Sequence, residues 1–372
     1  MARILIIGDP TNPLVRARGL LGQRAGHQIF WFSVQRASLP DVTHFFMPLF
    51  AQKNSVIRAI LRPVYLLAAI KKTKPDIIHV HYAQTGIAVF LLMNFHPLIV
   101  TVMGGDILPE RGYYGIPAFF IRMLLENTDC ITSKSDFMDK ALDKIGNYRH
   151  KIRRVTWGVD LDHFHPNRDV TFLRAKLDIP ANDFVFFDAR LARPLYNKHI
   201  IIEAFASYLR EGGSSATLLV AESFPDTVYL DKLRQQVSVL GIAQEVRFVG
   251  AIPHGEIADY YVLADLTISV PSSDGLPQTL YEAYACGSFL ILGDLPQYNG
   301  VVEEGVTARL VSVGDVNSLK DAISWISRNP EIRNRAKKLG RDYVEKYADS
   351  NFQADLVNQI YDQFLRTGNK KG

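Results

Sequence analysis

The sequence is short of several things that would have assigned it quickly. It has two cysteines in 372 residues, Cys130 and Cys286, far apart and without metal-ligand spacing. Neither a disulfide-stapled scaffold nor a zinc module is expected, and a reducing cytoplasm suits the chain. The opening turn, "GDPTNPLVRARGLL" at 8–21, lacks the Gly-x-Gly-x-x-Gly fingerprint, which counts against a dehydrogenase. No apolar run reaches the roughly 20 residues of a membrane-spanning helix. The nearest, "GIAVFLLMNFHPLIVTVM" at 86–103, is interrupted by Asn94, His96 and Pro97, and reads as a buried helix, a turn and a buried strand. The start "MARILIIGDP" has no signal-peptide core, so export is not expected. Low-complexity tracts and internal repeats are missing too, and disorder is expected only in the tail "TGNKKG".

Acidic residues are missing from one long stretch. Residues 42–75 hold Lys53, Arg58, Arg62, Lys71, Lys72 and Lys74 and not one Asp or Glu. The bias extends further, with 20 Lys and Arg against 11 Asp and Glu in residues 1–160, and 22 against 27 in residues 161–372. Basic side chains interleaved with Phe, Leu and Ile are what an anionic membrane surface attracts, and residues 42–75 are a candidate for such peripheral contact. A solvated basic helix face accounts for the charge equally well. No nucleic-acid-binding motif accompanies it.

The length favours two domains. Strand-like runs near 3–7, 28–33, 76–81, 98–103, 129–132 and 152–155 alternate with helix-length segments, and a second series lies near 184–188, 216–221, 246–250, 266–270 and 288–292. The fold class is therefore α/β, and the continuously apolar runs predict parallel strands buried on both faces. Periodicity lapses around 157–170, which sets the expected domains at 1–165 and 166–349.

In parallel sheets of this kind ligands bind beyond the carboxyl ends of the strands. After "FVFFD" comes "ARLARPLYNKH", with Arg190 in the loop and Lys198 opening the next helix. After "LTISV" comes "PSSDGLPQTLYEAYACG", with Pro277 at a first helical position and Gly287 at a natural stop. The helix start suits a phosphate, and Arg190 and Lys198 would both face it with full charges. Gly275, Leu276, Pro277 and Gln278 form that start. Asp274 and Glu282 should stand about 10 Å apart, given about 1.5 Å of rise per helical residue. That separation fits gripping the two ends of a nucleotide sugar, with Asp274 on sugar hydroxyls and Glu282 on the ribose. Asp274 capping its helix is the alternative. In the first half, Asp106 follows the pair Gly104–Gly105, a place for close ligand approach or simply a turn. His79 and His81 are expected on opposite faces of their strand, His81 lining the ligand side. Arg16 and Arg18 could meet an acceptor phosphate or face solvent.

These elements resemble the family-4 retaining glycosyltransferases. "SSDGLPQTLYEAYACG" is similar to that family's acidic-x7-Glu element, "ARLARPLYNKH" to its Gly-Arg-Leu…Lys-Gly element, "VGAIPHGEIADYYVLADLTISVPS" to the stretch ahead of the carboxylates, and "WGVDLDHFHP" to its linker. The resemblance implies two Rossmann-like domains facing across a cleft (GT-B type), with the acceptor on the first and the donor on the second. It further implies no required metal or cofactor, and a closing helix near 350–366 that packs back on the first domain. The expected function is retaining transfer of a hexose from a UDP- or GDP-linked donor to a sugar or lipid-linked acceptor in bacterial polysaccharide or glycolipid assembly. The expected place is the cytoplasm, at the inner face of the membrane. Asp274, Arg190 and Lys198 are the expected catalytic residues, and Asp106, Gly105, His81 and Arg16 the acceptor side. Met103 stands where the family has a histidine, and His199 where it has a glycine. Two other functions share the architecture. A nucleotide-sugar epimerase would convert the donor without an acceptor, and a non-catalytic nucleotide-sugar-binding protein would show no turnover.

Overall fold

A computed structural model describes residues 1–108 and 116–368. The chain divides into two compact units, Met1–Trp157 with Asn351–Gly372, and Gly158–Ser350. The boundary precedes the expected 165/166. The reason lies in "WGVDLDHFHP": Val159 and Phe164 are buried in the second unit's core, and Val159 N–H donates to Ala348 O at 2.7 Å.

The first unit holds seven parallel strands, β1 (Arg3–Ile7), β2 (Gln28–Ser33), β3 (Thr43–Phe46), β4 (Ile77–His81), β5 (Leu98–Thr101), β6 (Cys130–Ser133) and β7 (Ile152–Arg154). Their spatial order is β3-β2-β1-β4-β5-β6-β7, which reverses between β1 and β4. Ile4, Leu5, Ile6, Ile77, Ile78 and Val80 are wholly buried, as central parallel strands require. Helix Ser350–Gly368 belongs to this unit: Val357, Ile360 and Tyr361 share a core with Ile4, Ile6 and Trp31.

The second unit's strands are β8 (Phe184–Asp188), β9 (Ala216–Val220), β10 (Val246–Phe248), β11 (Leu266–Ser269), β12 (Phe289–Gly293) and β13 (Ala308–Val311). All are parallel, in the order β10-β9-β8-β11-β12-β13. β3 and β13 escape sequence reading because each is a four-residue edge strand whose middle residues are only half-buried, so neither forms a continuous apolar run. Among the described residues no helix is long and apolar enough to cross a membrane. The tail beyond Gly368 lies outside the described residues.

Candidate active site

In the second unit the strand order reverses between β8 and β11, so the segments after these strands meet. Asn197, left-handed at φ 52°, fastens them: its amide donates to Val270 O at 2.9 Å and to Ser272 Oγ at 3.0 Å. Arg190 and Asp274 are thereby joined, Nη2 to Oδ2, at 2.5 Å. Arg190 also reaches Thr279 Oγ1 at 3.3 Å, and its guanidinium lies 4.6 Å from the centre of the Tyr196 ring. Burial works against this cation, but the Asp274 carboxylate and the Tyr196 and Tyr298 hydroxyls more than offset it, so Arg190 is held above its ordinary range.

Helix Gln278–Cys286 starts one residue later than the sequence predicts. Pro277 is extended (ψ 148°) and is the N-cap, not the first helical residue, and no side chain caps the helix. Asp274 does not cap it. One of its oxygens takes the Gly275 N–H at 2.6 Å and the other takes Arg190. Leu276 between them is buried and left-handed at φ 73°, a conformation that costs a non-glycine residue about 1–3 kcal/mol and collects at ligand sites. Gln278 turns away, its amide donating to Gly158 O at 2.5 Å. With no side-chain cap, the positive end of the helix dipole is left for an anion. The helix stops at Gly287, left-handed at φ 73°.

Glu282 is buried on the inner face of this helix and accepts from the Tyr261 hydroxyl at 3.0 Å. Burial pushes its carboxyl up to about 7, with the Tyr261 hydrogen bond and the Arg190 charge acting in the opposite direction. Lys198 departs from expectation. It is completely buried, 2.8 Å from an equally buried Asp188, so only Arg190 of the two cations keeps an exposed edge. Burial draws the Lys198 ammonium down and lifts the Asp188 carboxyl, each countered by the other's charge. The geometry explains it: Lys198 is the first residue of its helix and faces back onto the end of β8, where Asp188 is the last residue. Sequence reading missed Asp188, although "FVFFD" ends on a carboxylate at the ligand-binding end of a strand. It also missed Tyr196, Tyr261 and Tyr298. The Tyr298 hydroxyl is buried without a partner.

In the first unit His79 and His81 lie on the same face, their rings stacked at 4.3 Å. The expectation of opposite faces fails because side chains alternate with period two, so residues two apart project together. His79 is held by Tyr361 Oη at 2.7 Å and Thr101 Oγ1 at 2.8 Å. Burial and then the Arg18 charge bring it down to about 3, so it is neutral and packed. Asp106 is buried and accepts from the N–H groups of Ala83 (2.7 Å), Gly104 (2.8 Å) and Met103 (3.1 Å), lacing the loop after β4 to the loop after β5. That is its turn role, and Gly105 lies half-buried in the same loop. Arg16 is exposed, whereas Arg18 is buried, donates to Thr156 O and lies 4.9 Å from the Trp157 ring, which corrects its solvent-facing alternative. Among the described residues no group of three or more His, Cys, Asp or Glu could hold a metal ion.

Residues 169–343 match the family described as glycosyl transferases group 1, and residues 18–163 match glycosyltransferase family 4. The chain is 26% identical over 264 residues to an alpha-monoglucosyldiacylglycerol synthase of Streptococcus pneumoniae, covering 64% of this chain and 57% of that protein. It thus spans little over half the length of that relative. In fold it is similar to the sucrose-phosphate synthase of Thermosynechococcus elongatus, with a TM-score of 0.81, 19% identity and coverage of 99% and 100% of the two chains. It is similar as well to Anabaena HepE in complex with UDP-glucose, with a TM-score of 0.78, 16% identity and coverage of 98% and 100%. Two parallel-sheet α/β units of the GT-B kind and two family matches that follow one another along the chain make this protein a member of the group 1, family 4 glycosyltransferases.

Proposed function

We propose that the protein is a retaining glycosyltransferase that moves a hexose from a UDP- or GDP-linked donor to an acceptor hydroxyl in glycolipid or polysaccharide assembly. The observation that carries the reading is the Arg190–Asp274 pair at the mouth of an uncapped helix whose inner face bears Glu282. The diphosphate lies over the helix start, where Arg190 and the positive end of the helix dipole stabilise the charge that develops as the sugar leaves. Glu282 accepts hydrogen bonds from the ribose hydroxyls, and Tyr261 fixes its orientation. Asp274 takes hydroxyls of the transferred sugar while it holds Arg190. No carboxylate stands as an obvious nucleophile, so attack is on the front face, with the leaving diphosphate accepting the acceptor's proton. Arg190 and the helix start supply the positive charge, and no metal or further cofactor is invoked. Lys198 fixes Asp188, and through it the end of β8 from which Arg190 projects.

The acceptor is a sugar or a lipid-linked molecule reached at the inner membrane face. Leu49, Phe50, Val56, Ile60 and Val64 are each 60% or more exposed and sit beside Lys53, Lys71, Lys72 and Lys74 in a stretch without a carboxylate. This combination favours anionic lipid over a merely solvated face.

Thermal shift with a panel of nucleotide diphosphates and nucleotide sugars tests the donor site. A shift with one nucleotide that Glu282→Ala removes supports the reading, and no shift with any of them refutes it.

A further inference from the structure

The first unit has its own reversal of strand order, between β1 and β4, and a cavity of about 320 Å³ opens there. This is the lower end of the roughly 300–1,000 Å³ range of small-molecule sites. Its wall combines Gly8 and Asp9 after β1, His81 and Gln84 at the end of β4, and Arg58 and Arg62 from helix Ser55–Thr73.

The charges around it do not balance. Among the described residues neither Arg58 nor Arg62 is in an ion pair. Arg58 donates to Gln52 O at 3.0 Å and Arg62 to Gln84 Oε1, both neutral acceptors. Arg62 Nε is buried with no partner among the described residues. Burial, and then the charge of Arg58, bring Arg62 down to about 10, so it remains charged. Asp9, the one carboxylate in the wall, is exposed and engages the Thr11 N–H and hydroxyl at 2.9 and 2.7 Å.

His81 adds a second, independent sign. It is 1% exposed, yet among the described residues neither ring nitrogen has a hydrogen-bond partner, whereas its neighbour His79 has both filled. Buried polar groups in native proteins are nearly all paired, so unpaired donors around one cavity call for a ligand that pairs them. An unpaired half-buried guanidinium asks for an anion, and its planar fork matches phosphate oxygens.

We propose that the cavity at the β1/β4 reversal binds a phosphate group of the acceptor substrate, held by Arg58, Arg62 and His81. This deepens the glycosyltransferase reading by naming the acceptor's class, and rests on it. The phosphate is borne either by a water-soluble molecule or by a lipid headgroup. Helix Ser55–Thr73 carries both arginines on the cavity side and the exposed Ile60 and Val64 on another face, so the lipid source and the soluble source are tested separately.

The test is direct binding, read independently of turnover. Glycerol 3-phosphate is titrated against the wild type, Arg62→Gln and Arg58→Gln, followed by calorimetry and by melting temperature. In parallel, phosphatidylcholine vesicles with and without phosphatidic acid are used in flotation. Expected is binding of at least one phosphate probe that weakens roughly 10- to 100-fold in Arg62→Gln, the range for losing a charge-assisted hydrogen bond. Binding of glycerol 3-phosphate identifies a soluble source, and arginine-dependent binding of phosphatidic acid vesicles alone identifies a lipid source. Without ligand, Arg62→Gln should melt no lower than the wild type, because it removes an uncompensated charge. A lower melting temperature would mark Arg62 as structural and overturn the proposal. So would the absence of binding by either probe, or vesicle binding equally strong in both variants. The donor nucleotide's thermal shift should be the same in wild type and variants. If the phosphate site holds while no nucleotide shifts the protein, the donor reading alone fails.

Discussion

Replacing Glu282 by Gln should make the protein more stable and less functional, and the gain should depend on pH in a defined way. The Glu282 carboxyl sits up to about 7 in the folded protein, against an ordinary value of 4.5. The folded state therefore holds this proton more tightly than the unfolded chain does. Its contribution to stability is fully present below about pH 4.5 and is lost as the pH rises through about 7. At about 1.4 kcal/mol for each pH unit between those values, the ionised carboxylate costs the fold about 3 kcal/mol above pH 7. Gln keeps the shape and still offers an oxygen to the Tyr261 hydroxyl. It also removes the charge.

The expected difference between Glu282→Gln and wild type is close to zero at pH 4.5, grows through pH 6, and levels off above pH 7.5. For a unit of this size, about 3 kcal/mol corresponds to a rise in melting temperature of the order of 5–10 °C. Melting curves at pH 4.5, 6, 7 and 8 without nucleotide measure it. At pH 8 the variant should also lose most of the stabilisation that nucleotide gives the wild type, since a neutral amide replaces the carboxylate proposed to receive the ribose hydroxyls. A variant less stable than wild type at pH 8 would refute the reasoning. A difference that stays constant with pH would do the same, because the carboxylate's ionisation would then not be the source.

Lys198→Met should lose about 3–5 kcal/mol in urea denaturation, because Asp188 is left buried and unpaired, while Asp188→Asn with Lys198→Met should recover most of it. Failure of the double variant to recover would remove the pairing argument. Arg190→Ala should lower kcat about 100- to 1,000-fold, measured as release of nucleotide diphosphate at a temperature well below the variant's melting point, because Asp274 also loses its partner. A rise in KM alone, with kcat unchanged, would exclude leaving-group stabilisation. Leu49→Ser, Ile60→Ser and Val64→Ser together should cut flotation with phosphatidylglycerol vesicles about 10-fold or more without altering the melting temperature, since all three side chains are exposed. Unchanged flotation would assign that surface to something other than lipid.

Of the thirteen strands among the described residues eleven were legible, and nine of these lie inside a sheet, where a parallel strand covered on both faces has to be apolar and runs such as "ILIIG" and "FLIL" have few other uses. β3 and β13 were not, because each is a four-residue edge strand whose middle residues are only half-buried and neither makes an apolar run, although the other two edges, β7 and β10, were read despite being no more apolar. At the donor side, the position of Arg190 after one strand and of Asp274 after the next was enough to place both beyond the sheet's carboxyl edge. That they pair with each other was not legible, since pairing depends on the Asn197 bridge between two loops. The inward turn of Lys198 was hidden for the same reason, its partner Asp188 being read only as the end of a strand. The His79 and His81 expectation failed for a simpler reason. It contradicted the period of the strand, which alone would have stacked the rings on one face.

The two units solve the same electrostatic problem in opposite ways. Beyond β8 and β11, both buried cations already have carboxylates: Arg190 has Asp274, and Lys198 has Asp188. A diphosphate arriving there shares positive charge with internal anions, so its ground-state attraction is moderated. The interaction strengthens as negative charge grows on the departing phosphate, and only interactions that are stronger in the transition state speed the chemical step. Beyond β1 and β4, Arg58 and Arg62 have no such partners among the described residues, and an anion entering that cavity relieves a standing cost. Uncompensated charge favours holding a group that does not change during the reaction, compensated charge favours responding to one that does. On this argument a phosphate in the first unit anchors the acceptor, and the phosphate in the second takes part in the chemistry. Added salt should then weaken acceptor binding, because the half-buried guanidinium groups carry uncompensated charge that small anions compete for. It should change kcat little, because the paired charges around Arg190 are buried from solvent. Kinetics at 50 and 300 mM salt separate the two, and a kcat that falls in step with acceptor affinity would contradict the division of roles.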